Sequence, residues 1–264
     1  MHAIALVKYV PDTAQLSATL NGLKLLADGP RIANPLDEYA IEECLRLREA
    51  HGGQVTVLSM GPAVAVEAVK RGLALGADRA VLLSDAAFEG ADSLATARVL
   101  AAAVAKVGEW DIVVAGRSAL DGDTGQTAVQ VAALLGVPHL TYVARVRQID
   151  FAARTITVER WLEERREVLA SRLPCVMSVV KEINEPRYPS FMGIRKADKA
   201  TIPTWTAADL GLDPAAVGAA GSGVRWPVVG VSPARVGECR FVAGDTPEVV
   251  AAALVSQLSA QKIV

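Results

Sequence analysis

The sequence predicts an α/β protein with a doubly wound, mostly parallel sheet, added antiparallel strands and an extended C-terminal arm. Three observations lead to this prediction. Short apolar runs alternate with segments of helical periodicity, which implies right-handed βαβ crossovers. The runs are apolar throughout, as expected for strands buried on both faces. After Pro138 the pattern changes to alternating apolar and polar residues, which is typical of antiparallel strands.

The first half of the chain supplies the parallel strands and their helices. The predicted strands are 3–8, 54–59, 80–83 and 111–115. The predicted helices are 37–50, 63–75, 93–106 and 124–135. Pro62 fits a first helical turn, and Gly76 and Gly136 fit helix ends.

The second half begins with an antiparallel meander over 141–149, 155–161 and 166–171, followed by a buried run over 175–180. From Asn184 onward Pro186, Pro189, Pro203, Pro214, Pro227 and Pro233 interrupt the chain, and 218–223 is predicted to be flexible. The last predicted element is an amphipathic helix over 246–259. A tail of this composition is costly to order alone, so we expect it to pack along a partner.

The bulk composition excludes several classes of protein. The chain has 264 residues, with 52% hydrophobic and 5% aromatic residues and a formal net charge of −2. This charge gives no electrostatic reason to expect nucleic-acid binding or an anionic membrane as partner. The apolar runs are too short to span a bilayer, and the N-terminus is expected to form a strand rather than a signal peptide. The three cysteines, which show no metal-ligand pattern, are expected to be reduced and buried: Cys44, Cys175 and Cys239.

The most informative segment follows the strand predicted at 111–115 and opens the next helix. It consists of Gly116, Arg117, Ser118, Ala119, Leu120, Asp121, Gly122, Asp123, Thr124, Gly125, Gln126 and Thr127. A strand-to-helix junction presents unpaired N–H groups and the positive end of the helix dipole, which suit a phosphate. Gly122 and Gly125 would allow close approach or a positive φ. The spacing differs from G-x-G-x-x-G, so from the residues alone both a nucleotide site and an ordinary polar loop remain open.

Other polar residues form no catalytic constellation. The histidines His2, His51 and His139 are expected to be structural, and Glu42 and Glu43 are expected on the solvated side of a helix. P-loop, G-x-S-x-G and H-E-x-x-H motifs are missing from the sequence. We therefore expect a carrier or cofactor-holding subunit without catalytic residues on this chain.

Two further segments have competing interpretations. Asn34 and Pro35 precede a helix whose acidic start contains Asp37, which indicates either simple capping or a functional role. Four apolar residues lie on a Pro-rich, basic segment, namely Tyr188, Phe191, Met192 and Ile194. They fit the anchor of a docking surface, and the alternative is a small cluster packed beneath the loop.

Six motifs in the same order resemble the β subunit of electron transfer flavoproteins. They are 8–13 (KYVPDT), 34–43 (NPLDEYAIEE), 59–62 (SMGP), 76–80 (GADRA), 116–127 and 184–188 (NEPRY). The resemblance implies an adenine-nucleotide-hydrolase-like fold and a cytoplasmic heterodimer without stable membrane insertion. It also implies an α subunit that holds most of the redox FAD, a second nucleotide on this chain, and docking of flavin dehydrogenases.

The resemblance also implies roles for individual positions. The second nucleotide would contact Leu6, Asn34, Pro35, Leu36, Asp37, Met60 and residues Gly116 to Thr127. The partner-recognition loop would cover Glu185 to Ala197, with Tyr188, Phe191, Met192 and Ile194 as docking residues. The implied domains are a nucleotide-binding domain over 1–183, this loop over 184–202 and an arm on the α subunit over 203–264. Tyr9 and Leu36 would approach the partner's flavin, and Ser118-Ala119-Leu120 departs from the commoner Gln-Ala-Ile.

The identity of the second nucleotide stays open between two groups of the family. Ordinary members hold AMP, whereas electron-bifurcating members hold a second FAD that accepts hydride from NADH. Segments 87–96 and 121–124 resemble the bifurcating group more closely. An alternative of another class is a stand-alone adenine-nucleotide-binding regulatory module that resembles universal-stress-like proteins. An ATP-cleaving enzyme is disfavoured because a Walker-type lysine is missing.

Overall fold

The computed structural model describes residues 1–12, 29–225, 237 and 239–264. The chain divides into two compact units, Met1–Val229 and Gly230–Val264. Thr13 of the first motif and residues 226–236 and 238 of the expected arm lie outside the described residues.

The described part of the first unit contains strands, helices and short 3₁₀ turns. The strands are β1 His2–Leu6, β2 Tyr9–Pro11, β3 Arg31–Ala33, β4 Gln54–Met60, β5 Arg79–Leu83, β6 Ile112–Gly116, β7 His139–Asp150, β8 Thr155–Trp161, β9 Arg166–Arg172, β10 Cys175–Val179 and β11 Thr204–Trp205. The helices are α1 Pro35–His51, α2 Val66–Leu75, α3 Ser93–Val107, α4 Thr127–Leu135, α5 Phe191–Lys199 and the single turn α6 Gly218–Gly221. The 3₁₀ turns are Ala63–Ala65, Ala86–Phe88, Lys181–Ile183 and Pro214–Ala216.

Nine strands form one sheet in the order β11-β5-β4-β1-β6-β10-β7-β8-β9. Neighbouring strands from β11 to β7 are parallel, and β8 and β9 extend the sheet in antiparallel fashion. The predicted α/β class, the mostly parallel sheet and the added meander are confirmed. The sequence did not reveal β11 or the separate antiparallel ribbon of β2 and β3.

Helices cover both faces of the parallel part, as expected for a doubly wound sheet. Successive side chains of a strand point to opposite faces, so Ala3 and Ala5 join a core beneath α1 and α2. Ile4 and Leu6 join the opposite core beneath α3 and α4. The continuous apolar runs of the sequence therefore result from burial on both sides.

The direction of winding reverses beside β1. The chain continues from β1 to β4 on one side, whereas β6 lies on the other side of β1. In open parallel sheets, ligands bind outside the carboxyl ends of the strands at such a reversal. The chain that leaves β1 and the segment that follows β6 both start from this edge.

The part of the expected C-terminal arm that follows residue 203 belongs to the first unit. Strand β11 pairs with β5, and Val217 is buried in the first unit. Residues 218–223 are not a flexible spacer, because the Arg98 guanidinium on α3 donates hydrogen bonds to the carbonyls of Ala216 and Gly221 at 3.0 and 2.7 Å. The composition of this segment predicted flexibility, but these contacts from a distant helix order it.

The expected recognition loop is partly helical. Helix α5 spans Phe191–Lys199, and the Ser190 hydroxyl caps it by accepting a hydrogen bond from the Gly193 amide at 3.0 Å. The surrounding prolines favoured a loop, but they all precede the cap. The docking residues therefore extend from an irregular stretch into the first turns of a helix.

The second unit contains helix α7, Pro247–Ala260, close to its predicted bounds. Its apolar side chains Val249, Leu254 and Val255 are exposed in this unit. Cys239 is also exposed, contrary to expectation, whereas Cys44 and Cys175 are buried as expected. Within the described residues, none of the helices has the length and apolar character needed to cross a membrane.

Candidate functional site

The buried Asp37 carboxylate joins the carboxyl ends of β1 and β6. One oxygen accepts a hydrogen bond from the Lys8 amide at 2.8 Å, just beyond β1. The other accepts one from the Gly116 amide at 3.1 Å, at the end of β6. Asp37 lies in the first turn of α1 but does not cap this helix, since it serves two strand ends instead.

Asn34 connects the same helix to the segment that follows β6. Its amide nitrogen donates to the Ser118 carbonyl at 2.9 Å, and its oxygen accepts from the Leu120 amide at 3.3 Å. Asn34 is fully buried at the N-terminal end of α1 without a side-chain cap bond. The capping interpretation of Asn34 and Asp37 is therefore wrong, and both side chains hold the strand-end region.

We call residues 116–127 the strand-end loop. A Cβ at Gly116 would lie 2.5 Å from an Asp37 carboxylate oxygen, so glycine is needed for this contact. Gly125 has a φ of +62°, which fits the expectation for this residue. The second positive φ belongs to Asp123 at +45° rather than to Gly122. Helix α4 starts at Thr127, three residues later than predicted.

Cations of the protein neutralise the two carboxylates of the strand-end loop. The Lys8 ammonium lies 2.7 Å from Asp121, and the Arg117 guanidinium lies 3.0 Å from Asp123. Asp123 also accepts a hydrogen bond from the Ser118 hydroxyl at 2.5 Å. These contacts fix the two carboxylates within the loop that leads into α4, where the first helix amides lack intrahelical partners.

Burial of Asp37 has an electrostatic consequence. Burial raises the pKa of the carboxyl from 3.8 to about 7, and the amides of Lys8 and Gly116 and the Asn34 side chain oppose this effect. A group with a shifted pKa at the reversal of a parallel sheet is typical of functional sites.

The remaining residues expected to contact the nucleotide differ in how far they are exposed at this edge. Leu6 ends β1 as a buried core residue beside Ala115, and Met60 ends β4 half-buried. Pro35 is exposed and Leu36 is half-buried at the start of α1. The strand-end loop is exposed at Gly122, Asp123, Thr124 and Gln126 and half-buried at Arg117, Ala119, Gly125 and Thr127.

The donor set at this edge fits an anionic nucleotide. Exposed hydroxyl and amide side chains and the amino end of α4 are the kinds of group that bind phosphate, and Lys8 and Arg117 offset the two carboxylates of the loop. The buried Ser59 hydroxyl next to Met60 has no hydrogen-bond partner among the described residues. Because this hydroxyl is completely buried, it is not among the groups that a ligand at this edge can contact.

The expected docking residues form a second exposed surface. The exposed fractions are 92% for Tyr188, 74% for Phe191, 70% for Met192 and 43% for Ile194. The alternative of a cluster packed beneath the loop is wrong, because these side chains face outward. We call these four residues the apolar docking group.

Glu42 and Glu43 are buried, contrary to the expectation that they are solvated. Their exposed fractions are 3% and 7%. Arg187 pairs with Glu42 at 2.7 Å, and the Asn184 amide donates to Glu43 at 3.1 Å. The helical pattern around 42–43 gives no sign of these partners, which lie more than 140 residues away.

Comparisons with known proteins agree with this architecture. The family model described as "Electron transfer flavoprotein domain" matches residues 22–210. An "Electron transfer flavoprotein subunit beta" of Thermoanaerobacterium thermosaccharolyticum is 43% identical over 224 residues, which cover 84% of this chain and 85% of the relative. "Protein FixA" of Azorhizobium caulinodans is 43% identical over 218 residues, 81% of this chain and 78% of that protein. The "Caffeyl-CoA reductase-Etf complex subunit CarD" of Acetobacterium woodii is 40% identical over 266 residues, covering both chains fully.

Proposed function

Because this chain belongs to the electron transfer flavoprotein family as a β-type subunit, we propose that it holds an adenine nucleotide at the strand-end loop. The nucleotide is AMP or the adenosine phosphate part of a second FAD. The observation that carries this proposal is the Asp37 carboxylate, which joins the ends of β1 and β6 where the sheet reverses.

The chain's own residues have distinct parts in holding the nucleotide. The backbone N–H groups at the start of α4 and the side chains of Thr124, Gln126 and Thr127 bind the phosphate. Lys8 and Arg117 balance the loop carboxylates, so that the anion is not repelled. Asp37 and Asn34 position the loop from behind and do not contact the nucleotide. A bound FAD supplies reversible electron transfer, whereas AMP supplies structure only.

We propose that the apolar docking group contacts flavin dehydrogenases. Exposed aromatic and Met side chains next to each other are typical of interface centres rather than of free surface. The second unit is proposed to pack on an α subunit, which holds the main FAD. The exposed apolar side chains of α7 support this part of the proposal.

One experiment tests both the partner and the nucleotide. The chain is co-expressed with an α subunit, the heterodimer is purified, and its nucleotides are extracted and quantified. One FAD and one AMP per heterodimer identify the ordinary carrier, and two FAD identify a second flavin on this chain. One FAD without AMP contradicts the nucleotide site, and a flavin-free monomer that ignores the α subunit supports the stand-alone module.

A further inference from the structure

Arg187 ties the chain in front of the apolar docking group to helix α1. Its guanidinium donates to both oxygens of Glu42, at 2.7 and 3.1 Å, and to both oxygens of Glu49, at 2.5 and 3.1 Å. Its backbone amide donates to Glu42 as well, at 3.2 Å. One arginine thus engages two carboxylates two helical turns apart, with its side chain and its backbone together.

The inner carboxylate of this arrangement is anchored in the protein. Glu42 is 3% exposed and also receives the Arg46 guanidinium at 2.8 Å. Burial acts to raise the pKa of Glu42, but the two guanidinium groups outweigh burial and hold the pKa below its ordinary value. Glu42 therefore stays ionised near neutral pH, and Arg187 binds a charge that cannot move away.

A second attachment lies on the far side of the docking group. Helix α5 packs against the end of α2, where a Cβ at Gly193 would lie 2.3 Å from the Ala74 carbonyl oxygen. Ala197 is buried in the same core as Ala74. Tyr188 and Phe191 are thus exposed between an ionic attachment at Arg187 and a packed attachment at Gly193.

We propose that Arg187 is a positioning residue for partner docking, which orders the chain before the apolar docking group by clamping it to Glu42 and Glu49. This inference rests on the docking role proposed above. A docking surface that is ordered before binding avoids the entropy cost of ordering it in the complex. The clamp therefore sets the affinity for the dehydrogenase, while the maximal rate of electron transfer is set elsewhere.

The test compares Arg187→Lys and Arg187→Gln in the assembled heterodimer. Lysine keeps the charge but lacks the planar fork that holds two carboxylates. We expect faster amide hydrogen exchange over residues 186–192 in both variants. We also expect an increase of about three- to tenfold in the dehydrogenase concentration that gives half-maximal electron transfer, with an unchanged maximal rate. The probe is a flavin dehydrogenase that reduces the wild-type heterodimer.

Arg71→Gln is the matched control, because Arg71 pairs with Glu38 on the same helix at 2.7 Å but does not hold the docking chain. Arg187→Gln leaves the buried Glu42 carboxylate without this partner, which can destabilise the folded chain. Glu49→Gln is therefore a second variant, at a half-exposed position. The clamp is overturned if Arg187→Lys and Glu49→Gln both show wild-type amide hydrogen exchange and a wild-type dehydrogenase concentration for half-maximal electron transfer. This conclusion requires that Phe191→Ala weakens docking in the same assay. If Phe191→Ala leaves the dehydrogenase concentration for half-maximal electron transfer unchanged, the docking role itself is rejected, and the clamp with it.

Discussion

The Asp37 carboxylate accepts a hydrogen bond from the Gly116 amide at 3.1 Å and fills the space that a Cβ at position 116 would need. The two residues are 79 positions apart in the chain. Their contact connects the first turn of α1 to the start of the strand-end loop. The position of the Asp37 carboxylate therefore leaves room only for glycine at position 116, and the Gly116 amide in turn holds this carboxylate.

Asp37→Asn should remove part of the pH dependence of stability. The folded chain keeps the proton on Asp37 up to about pH 7, whereas the unfolded chain releases it near the ordinary pKa of 3.8. The folded state therefore binds more protons between about pH 4 and 7, and stability falls as pH rises through this range. The full shift corresponds to at most about 4 kcal/mol. Urea unfolding at several pH values measures this slope, and an equal slope in wild type and Asp37→Asn would contradict the assignment.

Gly125→Val should lower nucleotide retention. Valine is strained at a φ of +62°, so the strand-end loop must change its backbone. We expect less than half of the wild-type nucleotide per heterodimer after purification. Gly122→Ala is the control, because the nearest atom to its Cβ is 3.9 Å away in the same loop. Full nucleotide content in Gly125→Val would count against the proposed phosphate site.

Phe191→Ala should weaken docking without affecting assembly. An exposed aromatic anchor at an interface centre contributes on the order of 2 kcal/mol, or about thirtyfold in affinity. The dehydrogenase concentration that gives half-maximal electron transfer measures the change. Flavin content and heterodimer yield should stay at wild-type values. Val64→Ala removes another exposed apolar side chain elsewhere and should have no effect. Dissociation of the heterodimer in Phe191→Ala would instead assign this segment to the subunit interface.

Deletion of all residues after Arg225 should abolish binding to the α subunit. The cut leaves the contacts of Asp92 with the amides of Gly223 and Val224, at 2.7 and 3.0 Å, in place. We therefore expect the first unit to keep its cooperative thermal unfolding while copurification of the α subunit is lost. An intact heterodimer after this deletion would show that the second unit does not hold the partner.

The parallel part of the fold was predictable from the sequence because its first strands are short apolar runs that alternate with segments of helical periodicity, and the meander was predictable because its strands alternate apolar and polar residues. The order of the strands was not predictable, because it depends on which side of β1 each later strand pairs. The reversal between β4 and β6 therefore appears only in the structure. Short β11 was missed because two residues give no pattern.

The strand-end loop was predictable as a polar strand-to-helix junction, but its supports were not. Asp37 looked like a capping residue because carboxylates are common in first helical turns. Glu42 looked solvated because its burial depends on Arg187, 145 positions away. Helix α5 left a weak signal, namely Ser190 followed by apolar Phe191, Ile194 and Ala197 at helical spacing.

The unequal burial of the three cysteines makes the native chain ready for site-specific labelling. Burial raises the pKa of Cys175 to about 12 and raises that of Cys44 strongly, so neither thiol forms the reactive thiolate near neutral pH. Cys239 is exposed in the second unit. A maleimide fluorophore or spin label should therefore attach at this position alone. The environment of the second unit could then be followed during assembly without any engineered substitution.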